Sequence, residues 1–385
     1  MRGSRDGEAS GIYVHVPFCS AICPYCDFAV ARDHPARRAR YVDALVREIR
    51  SSPPTGLHFD TVYFGGGTPS TLAGDDLAMI LEALRRQVKL DEDAWISLEA
   101  NPEHVDSRRL SQWLALGVRT LSIGVQSFGD DALRFLGRRH RRVEAVAAIR
   151  RALAADFYSV SADLMFGLPG QNSSALRADL DQLVTLGPQH ISLYQLTVHE
   201  KTPFHRQRSR GMWAEANEEV QGELYALVHE TLGAGGYEAY EVSNFARHQD
   251  YRSRHNQKYW RHIPYLGFGV GAHSFLGRRR WWNERSLIAY CKRIEAGLRP
   301  EVGSEELSDG DLCLESVMLS LRCRDGIHLG EFQRTHGLDL AHRNRPLMEQ
   351  WVADGLAIWG EAFRLTPRGM AVADALVRAL ELEPE

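Results

Sequence analysis

The sequence predicts an α/β protein: a partial (β/α)6 barrel with a small C-terminal α+β cover domain of winged-helix-like layout. Two observations predict it. Six period-two apolar runs recur through the first half of the chain, each trailed by a helical pattern. Near the end, a helix, a hairpin and a helix follow one another. Strand–helix alternation makes the strands parallel, because each crossover returns the chain to the same edge. Six units fall short of the eight of a closed barrel. An open barrel fits.

The strands are expected at Ile12–Val16, Thr61–Phe64, Trp95–Glu99, Thr120–Val125, Ser159–Met165 and Ile191–Leu196. Between them, Leu77, Ile80, Leu81, Leu84 and Val88 share one helix face. Leu176, Leu180, Leu183 and Leu186 do the same, until Gly187-Pro188 stops the helix. A further helix from Asn217 to Leu232 breaks at Gly233–Gly236. Residues 237–299 are aromatic, basic and glycine-rich, without clear periodicity. Ser308 then caps a helix through Leu312, Val317 and Leu321. Leu347–Asp354 reads as a helix closed by Gly355, and Leu356–Trp359 with Phe363–Thr366 as a hairpin. Thr366-Pro367 opens a final helix through Leu376 and Leu380. These breaks divide the chain into residues 1–235, 236–304 and 305–385.

Composition excludes several classes. The 385 residues are 44% hydrophobic and 25% charged, enough apolar material for a large core, so disorder and a disulfide scaffold are unexpected. With 46 basic against 50 acidic residues, the balance of −4 gives no default reason for a nucleic-acid partner. The clusters Arg138–Arg142 and Arg278–Arg280 read as solvated faces. No apolar run reaches the roughly 18 residues of a membrane span. Met1–Ser10 is polar and lacks the apolar centre of a signal peptide, so a reducing cytoplasm is the expected compartment.

The cysteines carry the first chemistry. Cys19, Cys23 and Cys26 fall within eight residues, while Cys291, Cys313 and Cys323 are scattered and read as packing only. Pro17 and Pro24 keep the loop irregular, which lets three thiolates converge. Three soft thiolates suit an iron–sulfur cluster; the alternative is zinc completed by His15 or His34. A cubane 4Fe–4S cluster held by three cysteines keeps one iron open for a cofactor or substrate. Other candidates sit at successive strand ends, where barrel-like folds carry function. They are Gly65-Gly66-Gly67-Thr68-Pro69, Glu99, Gln126, Arg138 and Asp163. Glycines admit a ligand close to backbone. Each position also has a plain reading: a tight turn, a helix cap or a solvated helix end.

The Cys-x3-Cys-x2-Cys spacing after the first strand of a partial barrel resembles the radical SAM superfamily. The resemblance implies a 4Fe–4S cluster whose open iron chelates S-adenosylmethionine, with one electron cleaving the sulfonium. It places Tyr25 near the adenine and Gly66, Gly67 and Thr68 at the methionyl amino group. Glu99 falls at the ribose, Gln126, Arg138 and Asp163 at further binding positions, and Tyr13 at the methionyl ligand. The Gly-Gly-Gly-Thr-Pro form is similar to the coproporphyrinogen dehydrogenase branch. Two departures from that branch stand out. Phe28 occupies the position of its usual fourth cysteine, and only 12 residues precede Tyr13, where that branch has a longer segment.

His255-Asn256-Gln257-Lys258-Tyr259-Trp260 resembles the HNxxYW motif of HemW-type heme chaperones. This implies heme as ligand, with His255 on the iron, Asn256 in the motif, and Tyr259 and Trp260 on the porphyrin. Arg252, Arg254 or Lys258 would meet the propionates. The glycine-rich run Gly267–Ser274 resembles the family's supporting turn, with His273 a second candidate ligand. The implied partners are heme and a respiratory or other heme apoprotein as recipient, with an electron donor where SAM is cleaved. A cluster-dependent dimer is also implied. The rival readings are an oxygen-independent coproporphyrinogen III dehydrogenase and a radical SAM methyltransferase.

Overall fold

The structure, a computed structural model, describes residues 8–382; the polar N-terminal stretch as far as residue 7 lies outside them. The six expected strands lie side by side in chain order, all parallel. They are β1 (Ser10–Val16), β2 (His58–Gly66), β3 (Lys89–Ala100), β4 (Val118–Gln126), β5 (Ser159–Phe166) and β6 (His190–Gln195). The returning helices are α1 (Pro35–Ser51), α2 (Gly74–Gln87), α3 (Ser107–Ala115), α4 (Arg142–Leu153) and α5 (Ser173–Leu186). Helix α2 buries Leu77, Ile80, Leu81 and Leu84, as their spacing predicts; Val88 lies just past its end. Asn172 caps α5 through Ala175 N–H, and Gly187 closes it at φ 73°.

Alternation along the strands sorts two faces. Ile12, Val14, Val62, Phe64, Leu121, Ile123, Leu164 and Ile191 point out beneath the helices and are almost wholly buried. Each such side chain contributes about 1.5–3 kcal/mol. The opposite face looks into the barrel and is largely polar: Ser97, Glu99, Thr120, Ser122, Ser161, Asp163 and Ser192.

Residues 237–299, in which the sequence shows no clear periodicity, extend the same sheet. Strand β7 (Tyr265–Phe268) pairs parallel with β1, and β8 (His273–Leu276), β9 (Arg279–Asn283) and β10 (Glu301–Glu306) follow antiparallel. At the far edge, Asn244–Ala246 pairs antiparallel with β6 and then with Glu238–Ala239. The sheet has twelve strands among the described residues and stays open. The added strands run two to six residues, too short for a period of two to stand out. Helix α6 (Glu218–Ala234) precedes them; α7 (Arg254–Trp260) and α8 (Leu287–Glu295) lie between them, capped by Ser253 and Ser286.

The C-terminal part has its own core, including Val317, Leu321, Met348, Trp351 and Phe363. Ser308 caps α9 (Asp309–Leu321) as expected. The hairpin forms from β11 (Ala357–Trp359) and β12 (Phe363–Leu365). Two helices differ from expectation. Helix α10 (Leu340–Ala353) begins well before Leu347, with non-helical Asn344 and Pro346 inside it. The final helix is split into Pro367–Met370 and Ala373–Ala379 by Val372, which leaves helical geometry, and Leu380 is extended. Among the described residues no helix is long and apolar enough to cross a membrane.

Candidate functional site

Directly after β1, Phe18–Cys19 pairs with Ala31–Arg32, pinning the base of the cysteine loop. Within the loop, Cys26 N–H donates to Cys23 O at 3.2 Å, a tight turn. All three thiols are free; Cys19 is buried and the other two half-buried. Thr68 Oγ1 donates to Cys19 Sγ at 3.5 Å, and Arg138 Nη1 to Cys23 Sγ at 3.7 Å. Burial pushes the Cys19 thiol up to about 11 and raises Cys26 as well. A metal that takes these sulfurs must therefore displace protons. Gly67 makes the close packing possible: a Cβ there would meet Pro17 C at 2.8 Å, Val16 O at 2.9 Å and Cys19 Sγ at 3.0 Å.

The loop roofs a cavity of about 430 Å³ at the strand ends. Inside it, Tyr63 Oη donates to Glu99 Oε1 at 2.9 Å. Burial, then the charge of Asp163, pushes the Glu99 carboxyl up to about 8. Burial also lifts Asp163, to about 6, against the Ser122 hydroxyl that donates to it at 2.9 and 3.1 Å. Arg138 is sequestered beside them, donating to Asn101 Oδ1 at 2.7 Å and Gly124 O at 2.6 Å. Its Nε is buried with no hydrogen-bond partner among the described residues. Gln126, at φ 70°, sits where the β4–β5 ladder shifts register, and it lines the cavity.

This donor set fits a four-iron cluster with an amino-acid ligand. Among the described residues, no three His, Cys, Asp or Glu side chains converge on a single metal ion. A cubane cluster asks for something wider, since each thiolate takes a different iron. With a ligand bound, the Arg138 guanidinium, whose Nε has no partner among the described residues, would be the donor for a carboxylate, and Glu99 an acceptor for hydroxyl groups.

Of the residues singled out in the sequence, Cys19, Cys23, Cys26, Tyr25, Gly66, Gly67, Thr68, Glu99, Gln126, Arg138, Asp163 and Asn256 line this one cavity. Tyr13 does not. Its hydroxyl meets His15 Nδ1 at 3.2 Å, its ring stacks on Tyr63, and it faces a second cavity together with Tyr259. Trp260 lines neither cavity. His255 departs most from its expected part. It is 2% exposed, with Nδ1 3.0 Å from Thr61 Oγ1, Nε2 2.8 Å from Tyr259 Oη, and its ring stacked on Tyr63. Burial pushes the imidazole down to about 3. Both ring nitrogens are therefore hydrogen-bonded to neighbouring hydroxyls in this structure. The expected propionate partners are also engaged: Lys258 with Asp60 at 2.6 Å, Arg252 with Glu238 and Asp325, and Arg254 over the Trp95 ring.

Sequence reasoning missed the hydroxyl-rich wall of Ser97, Thr120, Ser122, Ser161 and Ser192. Its signal was present. Parallel strands covered on both faces read as nearly continuous apolar runs, so polar residues at every second position mark a wet interior.

A model of the radical SAM superfamily matches residues 13–183, and one of the HemN C-terminal domain matches residues 307–372. A Mycobacterium tuberculosis protein named heme chaperone HemW is 37% identical over 97% of this chain and 95% of its own length. The chain belongs to the HemW family. A Bacillus subtilis protein of the same name is 34% identical over 85% of this chain and 87% of its own. The solved structure of Escherichia coli coproporphyrinogen III oxidase HemN, a radical SAM enzyme, superimposes with a TM-score of 0.83 at 24% identity. It covers 97% of this chain and 91% of the other, and shows the shared fold. As a radical SAM member, this HemW-family chain carries a 4Fe–4S cluster and S-adenosylmethionine as its cofactors.

Proposed function

We infer that this protein is a heme chaperone: it binds heme and passes it to an apoprotein, with the cluster and S-adenosylmethionine in the barrel. The carrying observation is near-full-length similarity to proteins of that name, joined to the phenyl ring of Phe28 beside the cluster loop. In this reading Cys19, Cys23 and Cys26 hold the cluster, which supplies a coordination site and an electron. Gly66, Gly67, Thr68, Glu99, Gln126, Arg138 and Asp163 hold the S-adenosylmethionine, with Tyr25 beside its adenine. In this reading residues 1–235 carry the cofactors, residues 236–304 continue the same sheet beside the cysteine loop, and residues 305–385 form the cover. A respiratory apoprotein as recipient, a cytoplasmic location and a cluster-dependent dimer complete the reading.

The dehydrogenase rival demands turnover. Phe28 cannot serve as a thiolate, and the chain contributes no cysteine at that position. The deciding measurement uses the anaerobically reconstituted protein. It should take up hemin saturably and leave coproporphyrinogen III unchanged when S-adenosylmethionine and a reductant are supplied. Formation of protoporphyrinogen would replace the chaperone reading with the enzymatic one.

A further inference from the structure

The three thiols are not held equally. Cys19 sits in the short strand pair at the base of the loop and takes the Thr68 hydroxyl at 3.5 Å. Cys23 takes Arg138 at 3.7 Å, and its neighbour Pro24 accepts the Phe204 N–H at 3.0 Å. Among the described residues, Cys26 Sγ has a hydrogen-bond partner only within the loop, the N–H of Phe28. Residues 27–30 then form no helix or strand before Ala31 rejoins the pair, and they stand between the cofactor cavity and the second one. Whatever fixes this limb fixes Cys26, because a thiol goes where its backbone goes.

Two contacts reach the limb from the extension of the sheet. Arg285 Nη2 donates to Asp27 O at 2.7 Å. Gly271, at φ 65°, brings its backbone so near that a Cβ would meet Ala29 Cβ at 3.0 Å and Arg285 Cγ at 3.5 Å. From the barrel side, His199 Nδ1 faces the Asp27 carboxylate at 3.6 Å and His15 Nε2 meets Ala29 O at 3.0 Å. Arg285 is itself exposed and forms no ion pair among the described residues.

Behind Arg285 sits a buried carboxyl. Glu48 on α1 accepts from Gly269 N–H at 2.8 Å, from Asn283 Nδ2 at 2.7 Å and from the Tyr290 hydroxyl on α8. Asn283, the last residue of β9, closes the ring: Nδ2 also donates to Gly269 O at 2.9 Å, and its N–H to Ala272 O at 2.9 Å. Gly271 N–H donates to Glu284 O at 2.8 Å, and Glu284 N–H to Pro300 O at 2.9 Å. The backbone entering Arg285 is thus tied to α1 and to the glycine-rich turn at once. Opening any of these bonds leaves a buried polar group without a partner, so the network holds one arrangement.

We propose that Arg285, aimed by the Glu48–Asn283 network, is a positioning residue for Cys26: it latches the outer limb of the cysteine loop at Asp27 and so sets how long the three thiolates keep a cluster. It acts through the loop backbone, not on a thiol. The latch rests on these thiols holding the cluster and names what keeps the loop closed around it.

Chelator challenge of the anaerobically reconstituted full-length protein, followed by the cluster's visible absorbance, tests it. Arg285→Ala should release iron roughly 10–100-fold faster than wild type, the scale of loss when a metal site is deprived of an outer partner. Arg285→Lys keeps a donor and the charge and should recover part of that loss. The cluster-free proteins give a readout without iron. Backbone amides of residues 27–31 should exchange with deuterium faster in Arg285→Ala, while its melting midpoint stays at wild type because the side chain is exposed. Glu48→Ala should speed release and exchange and lower the midpoint as well. Arg285→Ala that releases iron and exchanges like wild type overturns the latch and leaves the cluster assignment standing. Faster release matched by a general loss of stability in Arg285→Ala overturns it too. A wild type that assembles no cluster overturns the assignment of the thiols, and the latch with it.

Discussion

The two cavities on either side of the cysteine loop are built from opposite materials. The cofactor cavity concentrates buried ionisable groups, Glu99, Asp163 and Arg138, within a wall of serine and threonine hydroxyls. The second is lined by rings, with one uncommitted imidazole and one exposed guanidinium. Burying ionisable groups is expensive unless a ligand completes them, so the first cavity suits a small, polar, multiply charged molecule. Aromatic faces suit a broad apolar one. One barrel thus carries two kinds of recognition, separated by Asp27 and Phe28.

The strongest way to break this contrast is to remove a cluster ligand. Cys23→Ala should lose nearly all iron and sulfide after anaerobic reconstitution, while hemin uptake survives. Unchanged iron content would remove the cysteine site itself, and loss of both would show the cavities acting as one.

A smaller effect concerns pH. The Glu99 carboxyl titrates near 8 when folded but near the ordinary 4.5 when unfolded. The folded chain therefore binds the extra proton between those values, and stability falls as pH rises through that window, by up to about 1.4 kcal/mol per pH unit. Glu99→Gln should flatten this slope, stabilising the cofactor-free protein at pH 9 and changing little at pH 4. Denaturant melts at the two pH values measure it; a slope identical to wild type would deny Glu99 its buried proton.

The smallest effect sharpens the division of labour. Arg138→Gln keeps a donor but loses the charge, and a hydrogen bond to a charged group is worth about 1.5–3 kcal/mol. Calorimetry should show S-adenosylmethionine binding roughly 10–100-fold weaker, with the hemin titration unmoved. Equal damage to both would place Arg138 in the scaffold.

How far the sequence spoke depended on the length of its signals. The six parallel strands were legible because each presents an unbroken apolar face, such as Ile12, Val14 and Val16, followed by a helix of matching period. Ser308, Gly187 and Thr366 marked helix ends by local chemistry alone. The extension beyond β6 was not legible: its strands are short, and long-range pairing such as Gly11 with Tyr265 leaves no periodic trace. The split of the last helix at Val372 was equally silent. Within the site, the strand-end residues gathered as their positions suggested, because the end of a parallel strand has a fixed direction. A motif on a short helix has no such constraint. His255 matches a pattern, yet its direction is set by Thr61 on β2 and Tyr259 on its own helix. His273, the first residue of β8 behind the glycine-rich run, has ring nitrogens without a hydrogen-bond partner among the described residues.

A barrel that never closes must also guard its edges. One margin of the twelve-stranded sheet is only two residues long, Glu238–Ala239, and the other is β10, largely exposed and bearing Glu301, Glu305 and Glu306. Unsatisfied amides along such margins invite a neighbouring chain to add a strand; brevity discourages it at one margin, and charged side chains, Glu301 and Glu305 paired with Arg279 and Arg280, at the other. The consequence is a sheet whose margins discourage edge-on aggregation.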